Sequence, residues 1–459
     1  MTEPQDLRRA AREIFRDALD RVEARRAVLR AVELDGARLR IGDTRLDLRE
    51  RPLKIYSVAL GKAAQAMASA LDERLGERLA GGVISAPPTN ISLSERWRVF
   101  AGGHPLPNDA SLEAARAAFK LLSDADDPSS LVIFLVSGGG SAMLESPRDA
   151  RLTLADLRES NRVLVNCGAR ITEVNAVRRA LSAVKGGGLS ARAPSAEQIT
   201  LIISDVSAGR DADVASGPTL PPAHDSPSAA EIIARYDLDL KLPPSITRAL
   251  EESNAARTEE SNAAQMHADP PGVLRRHFVL LDNETACAAA AESARARGFA
   301  VETARSLVEQ PVEEGAAALV SRLVRLYRRE GAGRRGVCLI SGGEFSCPVR
   351  GAGVGGRNSE TALRCAFEFE RVRSEGSSER LPSRMVALCA GTDGVDGNSP
   401  AAGALADDAT VSRARALGLD AAKFLEESDA YTFFDRLGDA VVTGPTLTNV
   451  RDVRILLAE

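Results

Sequence analysis

Two cations of this 459-residue chain follow glycine turns at predicted helix starts, where anions usually bind. Arg357 comes after the glycine-rich stretch 350–356, and Lys62 comes after Gly61. Because the N-terminal end of a helix is electropositive, a cation there is unfavourable unless an anion lies beside it. The amides of glycine turns and helix starts also bind anions. The pattern therefore predicts sites for an anionic, phosphorylated small molecule.

A second glycine loop follows the apolar run that ends at Val136 and adds hydroxyl groups to three glycine amides. We interpret this loop as an oxyanion cradle, with a plain tight turn as the alternative. Its candidate residues for binding phosphate or substrate are Ser137, Gly138, Gly139, Gly140 and Ser141. Lys185, which precedes three glycines, is a further candidate for the same role.

Four carboxylates stand at predicted strand ends, interleaved with these glycine loops. They are Asp205, Glu344, Asp393 and Asp396. Oxygen ligands of this kind suit Mg²⁺, and a carboxylate can also accept a proton as a general base. We take Asp205, Glu344 and Asp393 as candidate metal ligands, and Asp205 or Asp393 as the candidate base. Solvated loop carboxylates are the ordinary alternative.

Strands and helices must bring these residues to one edge of a sheet. Apolar segments at 54–60, 131–136 and 199–204 alternate with alanine-rich segments of helical spacing, as in a parallel sheet covered on both faces. A similar block begins near residue 273. The predicted fold class is α/β with two domains, each a mainly parallel sheet flanked by helices, the first Rossmann-like. The predicted bounds are 1–250, a linker at 251–272, and 273–459.

Composition excludes several classes of protein. With 59 basic and 64 acidic residues the formal net charge is -5, which argues against a nucleic-acid binder. No apolar run reaches the ~18 residues that predict a membrane span. Six cysteines without C-x-x-C spacing indicate reduced thiols, and the N-terminus lacks signal-peptide features, so we expect a cytoplasmic protein.

Gly351, Gly353 and Gly356 also satisfy the G-x-G-x-x-G spacing of dinucleotide-binding proteins. The acid expected about 20 residues later would fall in a Ser/Glu-rich loop, and Arg357 stands where such folds keep small residues. A nicotinamide-dependent reductase of hydroxypyruvate therefore remains an alternative. A non-catalytic sensor of phosphorylated metabolites is another.

Ten ordered motifs resemble the glycerate 2-kinase family, with its N-terminal α/β domain and C-terminal MOFRL module, over nearly the whole chain. They are Gly61–Ala64, Gly103–Pro105, Ser137–Ala142, Val184–Gly187, Ile203–Val206, Ala215–Thr219, Ser341–Glu344, Gly355–Asn358, Thr392–Gly397 with Ala401–Gly403, and Thr443–Thr446 with Thr448–Val450. The chain departs from the family pattern at Asn166, Ala180, Ser207 and Leu447.

The resemblance implies that ATP and a divalent metal, Mg²⁺, are used to phosphorylate the 2-hydroxyl of D-glycerate. It also implies an active site between the domains that contains Lys62 and Arg357. From the motifs around Arg357 we add Glu344, Gly355, Gly356 and Asn358 as candidates for binding phosphate or substrate. D-glycerate and ATP are the expected partners, and we expect no binding to nucleic acid or to membranes. Whether the protein forms a homodimer is left open.

Overall fold

The computed structural model describes residues 6–222, 226–260, 272–331, 335–375 and 380–459. The helices are α1 (Asp6–Arg21), α2 (Ala24–Ala31), α3 (Ala64–Leu75), α4 (Asp109–Asp124), α5 (Gly140–Met143), α6 (Leu154–Asn166), α7 (Ile171–Leu181), α8 (Ala229–Arg235), α9 (Pro244–Glu260), α10 (Asn283–Ala296), α11 (Val312–Glu330), α12 (Arg357–Ser374), α13 (Thr410–Ala416), α14 (Ala421–Glu426) and α15 (Ala430–Arg436). The strands are β1 (Val32–Asp35), β2 (Arg38–Ile41), β3 (Thr44–Asp47), β4 (Lys54–Leu60), β5 (Leu79–Ala86), β6 (Trp97–Ala101), β7 (Ser130–Ser137), β8 (Glu197–Ile203), β9 (Arg275–Leu281), β10 (Ala300–Thr303), β11 (Val337–Gly343), β12 (Met385–Gly391), β13 (Gly403–Asp407), β14 (Ala440–Val441) and β15 (Asp452–Ala458).

The chain forms two compact units. The large unit contains residues 24–280, and the small unit joins residues 1–23 to residues 281–459. The predicted bounds differ because α1 packs on α10 and β15 of the small unit, while β9 completes the sheet of the large unit. Residues 251–260 of the predicted linker form the end of α9, and residues 261–271 lie outside the described residues.

The central sheet of the large unit has the strand order β6-β5-β4-β7-β8-β9. The neighbours from β6 through β8 pair in parallel, which confirms the α/β class predicted from the apolar runs. Counted along the chain, the order is 3-2-1-4-5-6, that of a doubly wound sheet. Val58, Phe134 and Val136 line its core, since a parallel sheet is buried on both faces.

Two smaller elements complete the large unit. Strands β1 to β3 form an antiparallel sheet of their own. Helices α6 to α9 surround a second apolar core that includes Leu164, Val177, Ile232 and Ile246. This helical part follows the glycine loop at 137–141 in the chain. No helix of the ranges given above is both long and apolar enough to cross a membrane.

The small unit is also α/β, but its sheet is mixed rather than mainly parallel. Its order is β10-β11-β15-β12-β13-β14. Only β10 and β11 pair in parallel, while β15 inserts between β11 and β12 and runs antiparallel to both. The prediction of a mainly parallel sheet was wrong here. The last strand returns to the centre of the sheet, and local apolar patterns do not reveal strand direction.

Candidate active site

The strand order of the parallel sheet reverses between β4 and β7, where the chain moves from one side of the sheet to the other. The carboxyl ends of these two strands are direct neighbours, since Leu60 pairs with Val136. Strand β8 lies next, with Ile203 opposite Ser137. In open α/β sheets ligands bind beyond the carboxyl ends of the strands at such a switch point. Lys62, the glycine loop and Asp205 follow these three strands, so the structure brings them to one edge of the sheet.

Gly61 allows the turn after β4 to lie against the loop after β7. Its φ is +109°, and a Cβ atom there would lie 2.3 Å from the carbonyl oxygen of Ser137. The amide of Lys62 donates to the carbonyl oxygen of Gly138 over 2.9 Å, and the amide of Ala63 donates to the Ser137 hydroxyl over 3.1 Å. These contacts fix the backbone of Lys62, whose partly exposed side chain follows at the start of α3.

The two serines of the glycine loop differ in their surroundings. Ser137 is fully buried, and its hydroxyl donates to the carbonyl of Leu60 over 3.3 Å, so it ties two strands together. Ser141 is partly exposed, and its hydroxyl oxygen lies 3.0 Å from that of Ser216. Ligand contacts by Ser141 and by the three glycines between the serines stay a prediction.

Lys185 lies in a buried ion pair. Its ammonium group contacts the carboxylate of Glu145 and lies 3.4 Å from the hydroxyl of Ser182. Burial lowers the pKa of Lys185, and the attraction of Glu145 opposes that shift. The side chain is 1% exposed, which differs from the anion-facing cation that its glycine neighbours suggest. A ligand contact by Lys185 stays a prediction.

Arg357 is the first residue of α12 in the small unit, and two carboxylates hold its guanidinium. Its Nε and Nη2 atoms donate to the carboxylate of Asp452 over 2.6 and 3.1 Å, and Nη2 donates to Glu344 over 2.7 Å. Burial lowers the pKa of Arg357, but Asp452 and Glu344 together raise it above its usual range. The anion that a cation at a helix start requires is therefore supplied by the chain itself.

A third carboxylate caps α12. Asp396 accepts the backbone amides of Asn358 and Ser359 over 2.9 and 2.8 Å, and the Ser359 hydroxyl over 2.7 Å. Burial raises the pKa of Asp396 to about 6, against the effect of these hydrogen bonds. The side chain of Asn358 donates to Asp452 over 3.0 Å. The electropositive end of α12 is thus filled by protein groups.

The glycine stretch 351–356 uses its amides within the small unit. Hydrogen bonds run from the amide of Gly353 to the carbonyl of Glu427, and from the amides of Val354, Gly355 and Gly356 to the side chains of Asp429, Asn398 and Ser359, respectively. A phosphate at Gly355 or Gly356 would have to replace these acceptors. Because antiparallel β15 separates β11 from β12, the G-x-G-x-x-G spacing also lacks the parallel βαβ unit of a dinucleotide site.

A cleft of about 530 Å³ opens beside Arg357 and is lined in part by Phe345, Cys347 and Val349. This volume is in the range of small-molecule sites. Burial, together with a hydrogen bond to Glu360, raises the pKa of Cys347 to about 12, so this thiol is a poor nucleophile. The cleft therefore offers space and an apolar wall rather than a reactive group.

The three candidate metal ligands are divided between the two units, with Asp205 in the large unit. Burial raises the pKa of Glu344, Arg357 opposes this, and the negative charges of Asp452 and Asp393 add to it. Glu344 and Asp393 are therefore close enough to interact. Within the described ranges, no group of three or more His, Cys, Asp or Glu side chains is arranged to hold a metal ion.

Sequence reasoning did not select Asp452, and it treated Asp396 only as a strand-end acid. Asp452 and Arg454 are both 1% exposed in β15, where Arg454 donates to the carbonyl of Gly342 over 2.6 Å. The sequence did contain one indication. Two charged residues open an otherwise apolar run at 452–458, and charges are seldom fully buried unless they are paired.

Two family models match the chain. A domain of unknown function, DUF4147, matches residues 10–251, and the MOFRL family matches residues 337–452. The first match lies almost wholly in the large unit and the second in the small unit.

Three similar proteins cover most of the chain. A D-glycerate 2-kinase of Thermotoga maritima is 30% identical over 99% of each chain. A protein of Agrobacterium vitis with the provisional name hydroxypyruvate reductase is 36% identical over 87% of this chain and 98% of its own. A crystal structure of a glycerate kinase from Thermotoga maritima has a TM-score of 0.77 at 28% identity and covers 99% of this chain and 100% of its own.

Proposed function

This chain belongs to the glycerate 2-kinase family, and we propose that it transfers the γ-phosphoryl group of ATP to the 2-hydroxyl of D-glycerate. The products are 2-phosphoglycerate and ADP. Its family membership rests on the two family models and on relatives named glycerate kinase. The six cysteines are all free thiols, as is usual in a reducing compartment, and we place the reaction in the cytoplasm.

One observation carries the proposal most strongly: Lys62 stands at the switch point of the parallel sheet, fixed between two glycine turns. Phosphoryl transfer needs positioning and charge neutralisation more than covalent chemistry. The fixed backbone of Lys62 and the adjacent glycine loop supply positioning, and the ammonium group of Lys62 supplies charge neutralisation. A serine or cysteine nucleophile is not required.

Each residue has a role in the proposed reaction. Lys62 binds phosphate oxygens, and Arg357 neutralises charge that develops during transfer. The 2-hydroxyl oxygen of glycerate attacks the γ-phosphorus atom, and the bond from that atom to the bridging oxygen of ADP breaks. The hydroxyl proton passes to Asp205 or Asp393, and the choice between these two bases stays open.

Mg²⁺ fits this arrangement as an ion that arrives with the nucleotide. In nucleotide-dependent enzymes it is usually bound by one or two carboxylates and by phosphate oxygens. Glu344 and Asp393 are the pair that would hold it. When bound, the ion neutralises phosphate charge.

The reductase alternative is supported by the provisional names of two relatives from Agrobacterium vitis. Against it stand the internally bonded glycine stretch and the antiparallel strand between β11 and β12. A sensor without turnover would use the same loops.

A coupled assay of ADP release separates the three functions. The proposal expects ADP release that depends on D-glycerate, ATP and Mg²⁺ together. NADH or NADPH oxidation with hydroxypyruvate, without glycerate-dependent ADP, would support the reductase. Nucleotide binding without any turnover would support the sensor.

A further inference from the structure

Arg178, in the last turn of α7, is a mostly buried cation with neutral partners. Its Nε donates to the side-chain oxygen of Asn161 over 2.8 Å, Nη2 donates to the same oxygen, and Nη1 donates to Asn175 over 3.4 Å. Within the described part of the chain, no carboxylate is hydrogen-bonded to it. The next residue, Arg179, in contrast reaches Asp213 over 3.2 Å. A buried guanidinium without a carboxylate partner is a place where an anion is stabilising.

The negative charge of Glu145, which acts on Arg178, is already in use. Glu145 contacts the ammonium group of Lys185 and accepts the Ser182 hydroxyl over 2.5 Å. Burial lowers the pKa of Arg178, and the more distant attraction of Glu145 opposes this shift without cancelling it. The guanidinium therefore remains incompletely neutralised by the protein.

A continuous set of polar side chains leads from Arg178 to the glycine loop. The side-chain oxygen of Asn175, which Arg178 contacts, also accepts the hydroxyl of Ser216 over 3.2 Å. The Ser216 hydroxyl in turn lies 3.0 Å from that of Ser141 in the glycine loop. Ser216 adopts a φ of 62°, which is uncommon for a residue with a side chain and is typical of functional sites.

We propose that Arg178 binds the carboxylate of the hydroxy-acid substrate, while Ser141 and Ser216 contact its hydroxyl groups. The inference rests on the proposed function and names the subsite that would select the acid. A guanidinium presents donors in a fixed plane that matches a carboxylate. Two hydroxyl groups beside it suit a small acid that carries its own hydroxyls, because each can donate or accept.

A carboxylate is favoured over a phosphate of the nucleotide for two reasons. Three donors of Arg178 already hold the two asparagines, so the few that remain suit one small anion rather than a polyphosphate. Lys62 lies at a separate turn of the same sheet edge and is the cation proposed for phosphate. The arrangement predicts rejection of glycerol, which has the hydroxyls of glycerate but no carboxylate.

The test compares Arg178→Ala and Arg178→Lys with Arg162→Ala, a control at an exposed arginine of α6 paired with Glu159. Because removing one partner of a buried, hydrogen-bonded charge pair is costly, losing the pair between Arg178 and the substrate carboxylate should raise the KM for D-glycerate about 100-fold in the alanine variant. The lysine variant keeps the charge without the planar fork, so its KM should rise less. The KM for ATP should stay within about twofold of wild type in all three.

Three outcomes would overturn the inference. They are an unchanged KM for glycerate in folded Arg178 variants, a rise in the KM for ATP instead, or equal wild-type affinity for glycerate and glycerol in calorimetric titration. If the alanine variant does not fold, the lysine variant decides, with its melting temperature checked against wild type. A wild-type protein without glycerate-dependent ADP release would contradict the proposed function, and the calorimetric comparison would still decide the subsite.

Discussion

Lys62 and Arg357 each follow a glycine at a turn into a helix, yet their helix starts differ. The start of α3, after Lys62, has no side-chain cap, and Lys62 stands at the carboxyl edge of a parallel sheet. The start of α12 is capped by the buried carboxylate of Asp396, and Arg357 is held by Asp452 and Glu344. The same sequence pattern thus produces one uncapped helix start and one that the protein fills with its own anions.

The difference teaches that a cation at a helix start is not by itself evidence of an external ligand. The unfavourable helix dipole can be offset by a bound anion or by carboxylates of the chain. For Arg357 the second solution applies, so this residue should contribute to stability as well as to activity. The side chain of Lys62 is partly exposed, so it should contribute mainly to activity.

Arg357→Ala should give the largest effect. It leaves Asp452, which is 1% exposed, without its main cation. The free energy of unfolding should fall by about 3 kcal/mol. Glycerate-dependent ADP release should fall about 100-fold or more. Denaturant unfolding and the coupled assay measure the two effects.

Arg371→Ala is the matched control, since Arg371 is exposed on the same helix with Glu368 and Glu375. Its unfolding free energy should change by no more than about 0.5 kcal/mol. Unchanged stability of Arg357→Ala would contradict the proposed difference between the two helix starts. The ion pairs of Arg357 with Asp452 and Glu344 would then contribute nothing measurable to folding.

Lys62→Ala should lose activity by about 100-fold without loss of stability. Its side chain is partly exposed, and pairs of exposed groups contribute little to folding. The unfolding free energy should stay within about 0.5 kcal/mol of wild type, as in the control Lys120→Ala on α4. A large drop in stability would show that Lys62, like Arg357, also stabilises the fold.

Asp452→Asn should reduce turnover by about tenfold, because Arg357 keeps Glu344 but loses the partner that orients Nε. Small displacements of a positioning group can cost one to two orders of magnitude in rate. In an Arg357→Ala background the same change should have almost no further effect on activity, since the two residues act as a unit.

Asp439→Asn is the control for this pair, as Asp439 is a buried carboxylate of the small unit that pairs with Arg8 and Arg413. Its effect on turnover should be the same in the presence and in the absence of Arg357. If the free-energy effects of Asp452→Asn and Arg357→Ala on turnover simply add in the double variant, Asp452 does not act by positioning Arg357.

The cap of α12 should affect stability rather than turnover, as a dependence of the free energy of unfolding on pH. The folded-state pKa of Asp396 is raised to about 6, above the ordinary value of 3.8. The folded protein therefore binds this proton more tightly than the unfolded chain. The stabilisation is fully present below about pH 4 and is lost as the pH rises through 6, by up to about 3 kcal/mol.

Asp396→Asn removes that titration. The variant should therefore be less stable than wild type by a larger margin at pH 4 than at pH 7. Urea unfolding at the two pH values measures both margins. A larger margin at pH 7 would show that the hydrogen bonds from Asn358 and Ser359 hold the carboxylate in its charged form.

The parallel core of the large unit could be predicted from the sequence because its strands are continuous apolar runs. The predicted segment 54–60 coincides with β4, the segment 131–136 lies within β7, and the segment 199–204 overlaps β8. The position of β15 could not be predicted in this way. Its antiparallel pairing with β11 and β12 depends on contacts between residues far apart in the chain.

The candidate site shows the same limit. Glycine spacing located the turns at Lys62 and Arg357, since turn chemistry is local. The partners of these turns are not local: Asp452 is 95 positions from Arg357, and Glu145 is 40 positions from Lys185. Whether a cation faces a ligand or a carboxylate of the chain is therefore decided by the tertiary fold.

Product identification by NMR tests the central claim most directly. Wild-type protein is incubated with ATP, Mg²⁺ and D-glycerate, and the phosphorylated product is assigned by ¹H and ³¹P spectra. We expect 2-phosphoglycerate to accumulate in equal amount with ADP, and to be reduced about 100-fold in Lys62→Ala. Formation of 3-phosphoglycerate alone, or no phosphorylated product from active, folded protein, would contradict the account.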